Sequence, residues 1–266
     1  MAYQTVNPAT NQLIKEYPSH TDADIEAALK AADALYHSDW AKGDISQRLP
    51  VLHKLADLID ERTEELAKIA SQEMGKLIEQ SRGEVKLCAQ IARYYADNAK
   101  QFLAPVKYDS ELGEAWVEHH PVGVLMAVEP WNFPYYQLMR VLAPNLAAGN
   151  PVLAKHASIV PHCAEAFAHL VREAGAPEGA WTNLFITSDQ LANIIADDRV
   201  QETGTSMPLP SQPPRAPGGQ RPPHMTARCW PAEPNQGYPP PCLAPARAST
   251  GRKGSSPAQP TPARRH

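Results

Sequence analysis

Val122-Gly123-Val124-Leu125-Met126-Ala127-Val128 is a continuous apolar run, and its reading decides the fold. A short run with no polar residue to mark an outer face fits a strand buried on both sides, as in a parallel sheet. A helical stretch follows from about Tyr136 to Ala148, closed by Gly149-Asn150. Pro151-Val152-Leu153-Ala154-Lys155 is the next strand, and Pro161 to Ala174 the next helix, stopped by Gly175. Trp181 to Thr187 reads as a third strand and Asp189 to Ala196 as a short helix. Strands alternating with helices at this spacing form a βαβ series. Right-handed crossovers then give a doubly wound, Rossmann-like α/β sheet.

Working back toward the N-terminus, the pattern turns helical. Residues 1–20 read as extended or turn structure, punctuated by Asn7-Pro8 and Tyr17-Pro18. Thr21 and Asp24 stand in a capping arrangement, and Ile25, Ala28, Leu29, Ala32 and Leu35 follow as one apolar stripe. A second helix is predicted from Ser46 to a stop at Gly75, with Leu52, Leu55, Ile59, Leu66 and Ile69 on its stripe. A third is predicted from Gly83 to Phe102, with Cys88 on its apolar face as a small hydrophobe. Tyr108 to Val117, with Gly113 between, reads as a hairpin.

Working outward in the other direction, the chain changes character near residue 200. Residues 1–200 carry 17 Lys and Arg against 27 Asp and Glu, whereas residues 201–266 carry 8 against 2. The later segment holds 16 of the 27 prolines, two leucines (Leu209 and Leu243), and no Ile, Val or Phe. Such a stretch buries too little apolar surface to offset the entropy of ordering its backbone. The expected organisation is therefore a folding unit over 1–200 and a disordered Pro/Arg/Ala-rich tail over 201–266. No apolar run approaches the roughly 20 residues of a membrane-spanning helix. No signal peptide is visible at Met1-Ala2-Tyr3-Gln4, and the four cysteines show no metal-ligand spacing, so a reduced, cytoplasmic protein is expected. The acidic balance of the folding unit argues against nucleic acid as a partner.

Chemistry concentrates at the end of the first long strand, Glu129-Pro130-Trp131-Asn132-Phe133-Pro134. Open α/β sheets place ligands at the carboxyl ends of their strands. Two prolines fix φ on either side of Asn132. An amide held there either stabilises a developing oxyanion or serves as an ordinary turn residue. His119-His120 is no metal pair, because adjacent strand residues point to opposite faces. No Gly-x-Gly-x-x-Gly and no phosphate-binding Gly-x-x-x-x-Gly-Lys motif occurs, and no metal site is expected.

Pro130-Trp131-Asn132-Phe133-Pro134, Leu146-Ala147-Ala148-Gly149-Asn150-Pro151-Val152-Leu153-Ala154-Lys155, Glu173-Ala174-Gly175-Ala176-Pro177-Glu178-Gly179 and Asn183-Leu184-Phe185 together resemble the aldehyde dehydrogenase superfamily in order and spacing. Asn7-Pro8-Ala9-Thr10 and Glu73-Met74-Gly75-Lys76 fit the same pattern. Tyr135-Tyr136-Gln137 and Lys155-His156-Ala157 look most like the bacterial NAD(P)-dependent succinate-semialdehyde dehydrogenases. The resemblance covers residues 1 to about 201.

The resemblance implies that Asn132 is the oxyanion-hole amide and that Pro130, Trp131 and Asn132 line the cofactor cleft. It also implies that Lys155, His156, Ala157 and Ser158 form a cofactor-binding segment, with Lys155 on the adenosine ribose. Ser158 stands where many NAD-preferring relatives carry Glu. A neutral hydroxyl repels a 2′-phosphate less than a carboxylate does, so NAD and NADP both stay open. The implied partners are an aldehyde, with succinate semialdehyde the expected one, and a nicotinamide cofactor. A homo-oligomer is implied too, with the hairpin at 108–118 as a candidate oligomerisation element.

The resemblance also exposes what is missing. The family reaction needs a cysteine thiolate and a general-base Glu, carried on Gln-x-Cys and Glu-Leu-Gly-Gly segments that this sequence lacks. Cys88 and Cys163 fall on helical core positions, and Cys229 and Cys242 sit among prolines. The chain is therefore expected to be catalytically inactive, the alternative being a non-catalytic nucleotide-binding or proline-rich interaction protein. Pro210-Ser211-Gln212-Pro213-Pro214-Arg215 is the segment such an interaction would use. The abrupt change near residue 201 suggests a shifted reading frame: reading the gene in its other frames past codon 200 should recover Thr-Gly-Ser, Glu-Leu-Gly-Gly and Gln-x-Cys in order. Neither frame doing so would end that explanation. Three parallel strands with their next neighbour missing would leave an unpaired edge.

Overall fold

The computed structural model describes residues 3–205 apart from Leu112. The expectations for the tail, including Cys229, Cys242 and the Pro-rich segment, lie outside the described residues. Strands β1 (Tyr3–Asn7) and β2 (Gln12–Tyr17) form an antiparallel hairpin where the sequence suggested only extended or turn structure. Asn11 makes its turn at φ 56. The Tyr3 hydroxyl donates to the Ile186 carbonyl at 2.8 Å, and Tyr3, Tyr17 and His20 pack around Phe185. That contact docks the hairpin on the main body.

Helix α1 (Asp22–Tyr36) starts at the Thr21–Asp24 capping box, with both reciprocal bonds formed. A short α2 (Asp39–Lys42) and a 3₁₀ turn (Ile45–Gln47) follow. The second predicted helix is two: α3 (Leu49–Glu61) and α4 (Thr63–Met74). No Gly or Pro marks the break. Arg62 leaves helical geometry at φ −107 and ψ 20, and the Thr63 hydroxyl donates back to the Ile59 and Asp60 carbonyls at 3.2 and 3.0 Å. A hydroxyl that competes for backbone carbonyls bends a helix, and apolar spacing does not report it. Helix α5 (Ile78–Phe102) starts five residues before the predicted Gly83, which lies exposed inside it. Strands β3 (Val106–Tyr108) and β4 (Ala115–Val117) are the paired ends of the expected hairpin.

The α/β half follows the predicted order: β5 (Val124–Glu129), α6 (Pro134–Ala148), β6 (Val152–His156), α7 (Pro161–Glu173), β7 (Trp181–Asn183) and α8 (Ser188–Ala196). The third strand is shorter than the Trp181–Thr187 read from sequence. A further strand, β8 (Val200–Thr205), covers the edge of β5 expected to stay unpaired, becomes the outer strand itself, and carries ordered structure past the expected boundary at 200. It pairs in parallel with β5, giving the order β7-β6-β5-β8. Its residues Gln201, Glu202, Thr203 and Gly204 form no apolar run, so composition hid it. Backbone bonding to β5 and the buried Val200 hold it instead.

The chain leaves β5 toward β6 and β7, then returns to β5's other side as β8. That reversal is a topological switch point, where a crevice opens between the strand ends. Alternate residues of β5 feed two cores. Leu125 and Ala127 pack with α3, α5, α6 and α7 on one face. Val124 and Met126 pack with α1 and α8 on the other. The sheet is thus covered on both sides, which is why β5 has no polar alternation.

Two glycines report opposite constraints. Gly149 ends α6 at φ 89, and a Cβ there would stand 2.2 Å from the Ala41 carbonyl oxygen. Beside it the buried Arg48 guanidinium donates to the Ala147 carbonyl at 3.0 Å and to the Trp40 and Ala41 carbonyls, tying α6 to α2. A Cβ at Gly83 would meet nothing within 4 Å. In urea denaturation, Gly83→Ala is expected to stabilise the chain by up to about 1 kcal/mol. Gly149→Ala should cost at least about 2 kcal/mol. Equal effects at the two positions would contradict this assignment of α5 and the α6 terminus.

Candidate functional site

At the carboxyl edge of the sheet, β5 ends at Glu129 and β6 at His156, which stand opposite each other in register. This brings the Pro130–Pro134 turn beside the 155–158 segment. Pro134 opens α6 in its first turn, where a missing N–H costs nothing. Trp131, Asn132 and Phe133 project from the turn and are exposed, Trp131 by 48% and Phe133 by 45%. Among the described residues nothing bonds to the Asn132 side-chain amide, so its N–H groups are free to donate outward.

His156 ties the two segments together. It is fully buried, with Nδ1 3.2 Å from the Glu129 carbonyl and Nε2 3.0 Å from the Pro134 carbonyl. Two carbonyls favour the doubly protonated ring, but burial outweighs them and pushes its pKa down to about 4. A neutral imidazole donates to one of the two. His156 is therefore a brace between β5, β6 and α6, closed off from solvent. The family resemblance implied a place for it in the cofactor-binding segment, which such burial does not suit. Lys155, one residue earlier, is half-buried, and burial lowers its pKa too. Among the described residues no carboxylate pairs with its ammonium, which lies 5.8 Å from the Tyr3 ring centroid. Ala157 and Ser158 follow on the partly exposed loop, and the Ala157 carbonyl accepts from Val160 N–H at 3.1 Å.

The N-termini of α6 and α7 face this edge. A helix N-terminus collects unpaired N–H groups and a partial positive charge, and so attracts anions. Here glutamates of the protein itself fill both. Glu84 Oε1, from α5, accepts from Tyr135 N–H at 2.8 Å and Tyr136 N–H at 3.0 Å. Its other oxygen pairs with the Lys76 ammonium, and both side chains are buried. Glu73, from α4, accepts from His162 N–H at 2.7 Å, Cys163 N–H at 2.9 Å and the Thr5 hydroxyl at 2.6 Å. Burial still raises the Glu73 pKa against those three bonds. Sequence reading quoted Glu73 and Lys76 in a motif without a role and missed Glu84. The available signal was a carboxylate one residue from Val85 and four from Cys88, on the buried side of α5.

Cys88 and Cys163 are buried, at 1% and 0% exposure. Burial pushes both thiols well above the ordinary range, so neither offers a thiolate to an aldehyde. His120 contacts Glu118 at 3.2 Å, and the buried Nδ1 of His119 has no partner among the described residues. Among the described residues no group of three or more His, Cys, Asp or Glu sits together as metal ligands. No described helix is long and apolar enough to cross a membrane. A cavity of about 330 Å³, lined by Arg48, Lys100 and His119 among others, lies at the opposite end of β5 from Asn132.

The sign of the His156 shift sets a pH test. Between about pH 6.5 and 4 the unfolded chain holds more protons on this ring than the folded chain does. The stability it contributes is complete above that window and is lost as pH falls through it, by about 3 kcal/mol in all. Thermal melting from pH 7 to pH 4 should therefore show a shallower pH slope in His156→Asn than in the native chain. An identical slope in the two would overturn the assignment.

Residues 1–203 match the signature described as Aldehyde dehydrogenase family. The chain is 42% identical over 199 residues to a succinate-semialdehyde dehydrogenase [NADP(+)] of Deinococcus radiodurans, covering 75% of this chain and 42% of that protein. It is 40% identical over 201 residues to a probable succinate-semialdehyde dehydrogenase [NADP(+)] of Synechocystis, covering 76% and 44%. A solved structure of succinic semialdehyde dehydrogenase from Streptococcus pyogenes, in complex with NADP+, superposes with a TM-score of 0.75 at 45% identity. It covers 77% of this chain and 45% of that one. The chain thus spans less than half the length of these relatives.

Proposed function

The chain belongs to the aldehyde dehydrogenase family, and on that premise we propose that it carries one wall of a semialdehyde-oxidising site, without the nucleophile that completes the reaction. The observation that carries this reading is the juxtaposition of the β5 and β6 exits at the carboxyl edge of the sheet. An unengaged Asn132 amide and an unpaired Lys155 ammonium stand on adjacent strand ends, while the described cysteines are sealed in the core.

Each residue has a task that follows from its setting. Asn132 donates an N–H to the aldehyde oxygen as negative charge develops there, held by a turn whose exit is anchored in α6. Trp131 offers an exposed aromatic face to a planar ring at the mouth of the crevice, with Pro130 shaping the strand exit. Lys155, half-desolvated and free of any described carboxylate, donates to ribose hydroxyls. Ser158 presents a neutral hydroxyl where a 2′-phosphate would be repelled by an acid. These donors fit a nicotinamide dinucleotide, and the relatives named with NADP(+) favour the phosphorylated form. When bound, that cofactor supplies the hydride acceptor. The same relatives favour succinate semialdehyde as substrate.

Purified full chain with succinate semialdehyde and NADP+ or NAD+ is expected to give no turnover above a protein-free control. Calorimetric titration with NADP+ should still show saturable binding, weakened roughly tenfold or more by Lys155→Met. Turnover that disappears when a cysteine of this chain is changed to Ser would contradict the missing nucleophile. NADP+ binding indifferent to Lys155 would contradict the cofactor wall.

A further inference from the structure

The motif Glu73-Met74-Gly75-Lys76 has charged ends that serve two different helices. Glu73 holds the start of α7. Gly75, at φ 71, turns the chain out of α4 in a left-handed conformation that only Gly adopts easily. That turn delivers Lys76 to the space between α5 and the Asn132 turn.

We propose that Lys76 is a positioning residue for Asn132: its single ammonium clamps the Trp131–Phe133 turn to Glu84. The proposal rests on the oxyanion reading of Asn132. Three contacts converge on Nζ. It pairs with the Glu84 carboxylate, stands 3.5 Å from the Asn132 carbonyl oxygen, and lies 3.8 Å from the Phe133 ring centroid. Glu84 in turn receives the first N–H groups of α6. The turn is thus gripped from both sides of one ion pair, through its peptide and through its aromatic ring.

The exposure pattern separates this role from core packing. The Lys76 and Glu84 side chains are 7% and 1% exposed, whereas Asn132 and Phe133 face solvent. Phe133 meets Tyr136 edge-on at 6.1 Å and otherwise projects outward, with Lys76 over its face. A buried cation lying against an exposed ring is partly desolvated, the setting in which a cation–π contact is strongest. Without Lys76, Glu84 keeps its two backbone donors, so α6 stays capped while the turn ahead of it loses its clamp. The consequence falls on order at residues 131–133, and so on the aim of the Asn132 amide.

The test measures ¹⁵N order parameters for the backbone and side-chain amides of the full chain, in native, Lys76→Met, Lys76→Arg and Phe133→Leu forms. Lys76→Met should drop the Trp131 and Asn132 amides to flexible values, below about 0.6. Tyr135 and Tyr136 should keep their hydrogen-exchange protection, and Lys76→Arg should restore order at Asn132. Phe133→Leu removes only an exposed ring and should loosen the turn part-way; it decides the matter if Lys76→Met does not fold. Unchanged order at Asn132 in both Lys76→Met and Phe133→Leu would overturn the proposal. So would loosening spread evenly through α5 and α6. NADP+ titration of the native chain runs beside it. If no NADP+ binds, the cofactor reading falls, and the order at Asn132 still decides the role of Lys76.

Discussion

A helix that begins under other helices must find partners for its first N–H groups, and here that need is met by carboxylates from the N-terminal helices. Glu84 serves α6 and Glu73 serves α7. A buried carboxylate left uncompensated would cost several kcal/mol, so each is surrounded by donors. Glu84 has two backbone N–H groups and Lys76; Glu73 has two backbone N–H groups and the Thr5 hydroxyl. Each pairing joins an N-terminal helix to a strand–helix turn at the carboxyl edge of the sheet. The hairpin, α4 and α5 are therefore more than an external layer on the sheet. They fix where α6 and α7 begin, and so where the loops ahead of them point.

The same arrangement bears on where an anionic ligand can go. Open helix N-termini at the carboxyl edge of a sheet are ready-made phosphate sites. The termini of α6 and α7 are already occupied by the protein's own acids. What the β5 and β6 exits present is an amide, an exposed indole and a half-buried ammonium. Those groups suit a ribose, a planar ring and a carbonyl oxygen. His156 underlies them as a neutral brace, and its burial keeps it neutral across the range in which an exposed imidazole would titrate.

Much of this was legible from residue spacing because the interactions are local. The Thr21–Asp24 box, the glycine stops at Gly75 and Gly149 and the apolar run at 122–128 each declare themselves within a few residues. The features that escaped are set by distant partners. Strand β8 is polar and exists because β5 had a free edge to offer. The break at Arg62 comes from a hydroxyl finding carbonyls on the turn before it. Gly83 looked like a helix boundary and is tolerated mid-helix because its side faces open space. At the candidate site, the motifs singled out Asn132 and Lys155, and the fold places both on adjacent strand ends. The inward orientation of His156 and the reach of Glu84 across 51 residues to Tyr135 depend on the assembled fold.

The account turns on one claim, that the carboxyl edge at the β5 and β6 exits is the ligand-facing wall of this chain. The most direct measurement is amide chemical-shift mapping of the full chain during addition of NADP+. The account expects saturating shifts at Trp131, Asn132 and residues 155–158, with the Arg48, Lys100 and His119 cavity silent. Shifts gathered at that cavity, or none at the strand exits, would contradict it.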